Sequence, residues 1–410
     1  MLFYGVFIFF FTLPLAGAAQ EMYGFYLKKR QKSIRVPFEL QANLIIVPVK
    51  INNSDTLRFI LDTGVSSTFL SDPKIAAKLG LKAIRKVRIA GVGEGGELNA
   101  FVALSNKIEM GDMVGQNQNV VVLDNDVFAL SEFVGKQVHG ILGYDVFNRF
   151  VVTIDFRANQ ILLEEPENYK YRPSKGVKYP ITIEESKPYL DNFWVKEKGK
   201  KVPLKVIIDT GAGHAISLDL NKTPDIPLPS NVVRSQLGRG LSGVINGYLG
   251  RIDSVGLGEF GLNKVVASFP DSSSYQGVSS RTGRQGNIGC ELLRRFKVTF
   301  NYRDKYIVLK TTQHRLKELF EHNMSGMDFL AKGEDFKTLF VDRVAPGSPA
   351  DEAGIEAGDQ IVLLNNKNVN RTTLTEIYKM FQSKEGKEID IALKRGNEII
   401  VTKFKLKRLI

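Results

Sequence analysis

The sequence predicts a mainly β protein made of two homologous lobes followed by a smaller α+β domain. Three observations predict it. Short runs rich in Val, Ile and Phe, bounded by Gly, Asn and Asp, recur through most of the chain. Within that region, blocks of similar sequence return at a nearly constant spacing. Beyond Leu309 the repeat is lost, and after a polar bridge strand-like runs surround one amphipathic stretch, Thr373–Phe381.

The 410 residues exceed what one hydrophobic core usually serves, so several domains are expected: 1–19, 20–170, 171–314 and 322–410. The first reads as an export signal. Leu2 to Ala19 is uncharged, rich in Phe and Leu, contains Pro14 and ends in Ala16-Gly17-Ala18-Ala19, a small-residue cleavage pattern. No Lys or Arg precedes it, and an uncleaved anchor is the competing reading, because such a run is just long enough to span a bilayer. After cleavage no stable membrane span is expected. A single cysteine, Cys290, in the apolar run Ile288–Leu293, excludes an internal disulfide and reads as a buried small residue. Export without disulfides points to the bacterial periplasm or to secretion.

The formal charge of +12 favours anionic surfaces, or simply keeps the protein soluble. Basic residues are scattered and show no aromatic interleaving, so nucleic acid is not an expected partner.

The repeat organises the middle of the chain. Phe59-Ile60-Leu61-Asp62-Thr63-Gly64-Val65 matches Val206-Ile207-Ile208-Asp209-Thr210-Gly211-Ala212 at a separation of 147 positions. At the same separation Gly91, Gly93 and Gly96 meet Gly238, Gly240 and Gly243. At 146 positions, the stretch from Gly140 to Leu163 meets Gly286 to Leu309 with nine identities, among them Gly143/Gly289, Arg149/Arg295 and Thr153/Thr299. Strands are predicted at Leu44–Val49, Val120–Leu123, Val151–Phe156 and Val298–Tyr302, a helix at Pro73–Leu79, and a connector between lobes at Pro166–Gly176.

Asp62 and Asp209 each follow three large apolar residues, an unusual place for a merely solvated charge. Gly64 and Gly211 permit a tight turn, and the Thr63 and Thr210 hydroxyls have the reach to bond across a lobe interface. Two equivalent carboxyls brought together by a pseudo-twofold cannot both ionise easily, so one proton is shared. One then activates a water as general base and the other protonates a carbonyl. This chemistry needs no metal and no cofactor.

Those motifs resemble the pepsin/retropepsin superfamily of aspartic peptidases over roughly Gln41 to Leu309. The resemblance implies acid-protease-like β-barrel lobes and endopeptidase activity on peptides or unfolded proteins. It further implies a catalytic pair Asp62/Asp209, with Thr63, Gly64, Thr210 and Gly211 supporting the dyad. Ile141-Leu142-Gly143 fits the apolar-apolar-Gly segment that packs behind each catalytic loop. Asn287-Ile288-Gly289 fits less well, because Asn replaces one apolar residue. The glycines Gly91, Gly93, Gly238 and Gly240 are candidates for two short flaps, although any surface hairpin needs such glycines. Val65 and Ala212 stand where pepsins carry a hydroxyl donor, which implies a dyad working nearer neutral pH. Tyr144, Asp145, His139 and His214 are expected to be structural or substrate-lining.

The tail resembles a bacterial PDZ domain, on Val344-Ala345-Pro346-Gly347-Ser348-Pro349-Ala350, Ala353-Gly354-Ile355 and Gly358-Asp359-Gln360-Ile361-Val362. Its carboxylate loop is best matched by Ser325-Gly326-Met327-Asp328-Phe329, with Gly326, Met327, Asp328 and Phe329 as peptide-binding candidates and a C-terminal peptide as ligand. Asp328 stands where the family usually has Gly. Leu374, Ile377 and Phe381 form either a groove wall or core. The competing whole-chain reading is a catalytically inactive, peptide-binding envelope protein.

Overall fold

The computed structural model describes residues 24–125, 130–275, 282–311 and 313–410. The predicted export segment, residues 2–19, lies outside them. No helix among the described residues is long and apolar enough to cross a membrane.

The protein is mainly β, and its first two sheets repeat one design. In the first lobe, strand Leu57–Leu61 lies between Leu44–Ile51, antiparallel, and Gly140–Leu142, parallel. In the second, Lys200–Ile208 lies between Lys187–Glu197, antiparallel, and Gly286–Ile288, parallel. The registers correspond: Ile141 sits opposite Ile60, and Asn287 opposite Ile207. Strands buried on both faces explain the continuous apolar runs Phe59-Ile60-Leu61 and Val206-Ile207-Ile208. The early helix covers Pro73–Lys78, capped by the Asp72 side chain on the Lys74 N–H with Pro73 in its first turn.

A six-stranded sheet joins the lobes, in the order Val177–Pro180, Tyr306–Thr311, Phe296–Asn301, Val151–Asp155, Gln160–Glu164, Ser33–Pro37. Each lobe gives three strands. At the centre Val151–Asp155 runs antiparallel to Phe296–Asn301, and Thr153 faces Thr299 with hydroxyls 2.8 Å apart. These two residues are equivalent in the repeat, so the pseudo-twofold axis passes between them. Beneath this sheet Phe147 meets Phe300 edge-on at 5.3 Å and stacks on Tyr302 at 5.6 Å. One apolar core runs through both lobes.

The final sheet, in the order Met327–Lys332, Thr338–Val344, Gln360–Leu364, Glu388–Arg395, Glu398–Lys405, has its own core. Helix Leu374–Phe381 closes it, with a capping box between Thr373 and Glu376. Leu374, Ile377 and Phe381 are all buried in this core, which decides between the two readings of that face.

This domain is seated on the lobes. Helix Leu130–Val134 of the first lobe packs on the edge strand Met327–Lys332, and Gly135 lies so close that a β-carbon there would sit 2.8 Å from Leu374 Cβ. Thr375 donates its hydroxyl to Gln41 Oε1 at 2.7 Å. Arg343 donates to the Arg234 carbonyl at 2.7 Å, on the second lobe.

Phe147 is fully buried where the two lobes meet. Phe147→Ala should lower the unfolding free energy by about 3–5 kcal/mol, read from urea denaturation.

Candidate active site

Each Asp-Thr-Gly loop is built the same way. Asp62 N–H donates to the Leu142 carbonyl and Asp209 N–H to the Ile288 carbonyl, both at 2.9 Å. The strands ending at Leu142 and Ile288 thus pin the loops from behind. The next residue of each, Gly143 or Gly289, leaves no room for a side chain. A β-carbon at Gly143 would lie 2.6 Å from the Val65 carbonyl oxygen, and one at Gly289 would lie 2.3 Å from that of His214.

The loops are then locked to each other. Thr63 N–H donates to Thr210 Oγ1 and Thr210 N–H to Thr63 Oγ1, both at 3.0 Å. The same hydroxyls donate onward to the carbonyls of Ile208 at 2.6 Å and Leu61 at 2.8 Å. Four bonds cross the interface, and both Thr side chains are fully buried. Cys290 closes the underside, buried, with Sγ 3.3 Å from the Thr210 carbonyl. Burial pushes its thiol well above the usual range, and the nearby Asp209 and Asp62 charges add to this.

Above this lock the two carboxyls meet. The two carboxyls approach closely: a β-carbon on Gly64 would lie 3.0 Å from Oδ1 of both. A β-carbon on Gly211 would lie 2.2 Å from Asp62 Oδ2. Glycine at 64 and 211 therefore leaves space for acids rather than serving backbone freedom alone. Gly64 N–H donates to Asp62 Oδ1 at 2.5 Å, and Gly211 N–H to Asp209 Oδ1 at 3.0 Å. Burial holds the Asp62 carboxyl well above the usual carboxylate range, and the neighbouring Asp209 charge raises it further.

Of the remaining predicted residues, Gly91, Gly238, Gly240, His214, Asp328 and Phe329 line the same cleft. The glycine-rich segments form two hairpin tips, one between Arg85–Ile89 and Leu98–Met110, the other joining Val232–Gly240 to Gly243–Leu257. They interlock. Gly91 N–H donates to Ser242 Oγ at 3.0 Å, Ser242 N–H to the Val92 carbonyl at 3.1 Å, and Glu94 N–H to the Val244 carbonyl at 3.1 Å. Gly240 approaches Val92 and Gly93 approaches Ser242, each too closely for a β-carbon. Together they roof a cleft of about 1240 Å³ that holds Asp62 and Asp209 and is also lined by Val92, Leu241, Phe329 and Tyr378.

Of the PDZ candidates, Met327 is fully buried and its N–H is taken by Ser325 Oγ at 3.1 Å. Gly326 lies against Ser348 too closely for any side chain. Asp328 pairs with Arg343 at 2.9 Å, and Arg343 in turn reaches Ser235 Oγ in the second hairpin at 3.3 Å. Phe329 and Asp328 line the shared cleft. His139 accepts the Arg58 N–H on Nδ1 at 3.0 Å, and Tyr144 bonds Asn148 at 3.0 Å. One arrangement went unread in the sequence. Asn287 donates to Asp209 Oδ2 at 3.1 Å, and its Oδ1 lies 2.9 Å from His214 Nε2. The departure of Asn287 from the apolar pattern was the available signal.

Comparison with known proteins agrees with this architecture. Residues 47–146 match the aspartyl protease family, and residues 340–395 match the PDZ domain. The chain carries an aspartyl protease domain and a PDZ domain. It is similar to DNA damage-inducible protein 1 of Yarrowia lipolytica, 27% identical over 129 residues, which cover 31% of this chain and 29% of that protein. It is also similar to a probable CtpA-like serine protease of several Staphylococcus aureus strains, 31% identical over 94 residues, covering 22% of this chain and 19% of that protein. The chain thus spans less than a third of these relatives.

Two stability measurements probe the site. Thr210→Val leaves the buried Leu61 carbonyl and Thr63 N–H without partners, and should cost about 1–3 kcal/mol in chemical denaturation. For Asp62 the folded-state value is raised, so the fold favours the protonated acid. Its contribution is complete below the ordinary value of 3.8 and is lost as pH rises through the raised one. Asp62→Asn should therefore be more stable than wild type at pH 8 by about 1–3 kcal/mol, with the gap closing toward pH 3, in paired denaturation curves.

Proposed function

We propose that the protein is an exported aspartic endopeptidase in which Asp62 and Asp209 share one proton and one hydrolytic water. The observation that carries this is the pair of closely apposed carboxyls, Asp62 buried and Asp209 half-buried, at the floor of a roofed cleft. A solvated or purely structural acid pair would not be held there by four cross-lobe Thr bonds.

The reaction needs only these groups. The ionised carboxylate takes a proton from the water as the water oxygen bonds to the peptide carbonyl carbon. The protonated carboxyl gives its proton to the carbonyl oxygen, yielding a tetrahedral diol while the dyad still holds one proton. In collapse, the dyad proton goes to the amide nitrogen, the C–N bond breaks, and a diol proton returns to the dyad. The products are an acid and an amine. Gly64 and Gly211 N–H groups steady the two acids throughout.

The substrate class is peptide or unfolded protein, because the cleft of about 1240 Å³ is lined by apolar residues such as Val92, Leu241 and Phe329 as well as polar ones, and is closed by two hairpin tips. Gly91, Gly93, Gly238 and Gly240 would serve as flap hinges that part to admit a chain. The PDZ domain supplies Phe329 and Tyr378 to the same space, in favour of a role in holding a peptide near the dyad. Export to the bacterial periplasm or beyond is supported by the apolar stretch Leu2–Ala19 and its small-residue end.

The decisive assay is cleavage of a denatured protein. Asp62→Asn and Asp209→Asn should each lower kcat by about 10³-fold or more, with inhibition of wild type by a statine-type transition-state mimic. Activity surviving either substitution would remove the dyad. Because Val65 and Ala212 provide no hydroxyl donor, the pH–rate profile should peak nearer neutrality than that of pepsin; a peak at about pH 2 would contradict this.

A further inference from the structure

The two lobes repeat the same backbone arrangement around the carboxyls, but the side chains behind them differ. In the parallel strand behind Asp62, Ile141 stands opposite Ile60; in the matching strand behind Asp209, Asn287 stands opposite Ile207. Ile141 packs into the apolar cluster of the first lobe. Asn287 is equally buried but instead reaches Asp209 Oδ2 with its amide nitrogen at 3.1 Å. The position equivalent to His214 in the first lobe is Ser67, whereas His214 Nε2 lies 2.9 Å from Asn287 Oδ1. Among the described residues Asp209 thus accepts from Gly211 and Asn287, while of the main-chain and amide donors Asp62 accepts from Gly64 alone.

We infer that Asn287, held by His214, is a positioning residue that breaks the equivalence of the dyad, placing the resident proton on Asp62 and leaving Asp209 as the base. This rests on the shared-dyad reading proposed above. The chemistry of the amide fixes the direction of the chain. A carboxylate offers only acceptors, so the Asn287 NH₂ must face Asp209 and its Oδ1 must face His214. His214 then carries its proton on Nε2, and burial holds its imidazole below the usual value. An anion with two donors is favoured over one with a single donor. The raised Asp62 carboxyl agrees with that division. In the first step, Asp209 therefore accepts the water proton and Asp62 protonates the carbonyl oxygen, with one proton on the dyad before and after.

Other charged groups act on the same assembly and are common to all the variants below. Lys187 faces Asp62 and Arg284 faces His214. Cys290 and Tyr302 lie behind both acids.

The test is the pH dependence of kcat/KM in the full chain. Asn287→Leu, which returns the position to the apolar type of Ile141, should move the acid limb up by about one pH unit. It should cut kcat/KM on that limb about tenfold, chiefly through kcat. His214→Leu should move the limb the same way, and His214→Gln, which keeps an N–H donor, should recover at least half of that displacement. A merely structural role would lower activity without moving the limb. A limb that stays in place or moves down in Asn287→Leu overturns the inference; should that variant fail to fold by circular dichroism, Asn287→Ala, which likewise removes the donor, carries the same readout. The two failures separate cleanly. Loss of activity in Asp62→Asn and Asp209→Asn with an unmoved limb in Asn287→Leu removes only the relay. Activity retained in either Asp variant removes the dyad and the relay with it.

Discussion

Four hydrogen bonds between two threonines and the strands beneath them are the interaction on which the rest depends. Two acids placed in contact repel once both ionise, and burying them sharpens the penalty. Such a pair persists only if the backbone under it cannot spread. Thr63 and Thr210 supply that constraint by using each hydroxyl twice, as acceptor from the opposite N–H and donor to the opposite carbonyl. Leu142 and Ile288 then hold the loops from behind, and Gly143 and Gly289 let those strands approach. The joining sheet, with Thr153 on Thr299 at its centre, sets the distance between lobes.

The PDZ domain enters this arrangement as a wall rather than a tethered accessory. Its edge strand lies against helix Leu130–Val134, its helix is bonded to Gln41, and Arg343 ties it to the root of one hairpin tip. Asp328, which stands where the PDZ family usually has Gly, is the partner that holds Arg343 in place. The carboxyl therefore serves a link between domains.

The duplication made most of the double lobe readable, because motifs repeated at one spacing report equivalent positions whatever the fold between them. Strands such as Leu44–Ile51 announced themselves through apolar runs buried on both faces. The meeting of Asp62 with Asp209 followed from symmetry. What stayed hidden depends on contacts between distant segments of unlike sequence. The glycines at 91–96 and 238–243 signalled turns, but their interlocking arises only when the lobes face each other. Asn287 stood out as a misfit, yet its partners Asp209 and His214 are defined by the register of a parallel strand. The seat of the PDZ domain rests on a few polar bonds and close backbone approaches, none of which has a pattern of its own. Met327 was read as ligand-facing, but the same apolar character buries it.

The sheet shared by both halves has a consequence for divergence. Where an enzyme of this shape assembles from identical subunits, any substitution appears twice, and a change that helps one acid burdens the other. Here one polypeptide supplies three strands from each half to a common platform, so neither half can exchange partners and each is free to mutate alone. An amide on one side and a hydrocarbon on the other, at positions 287 and 141, is the kind of specialisation that only covalent fusion permits.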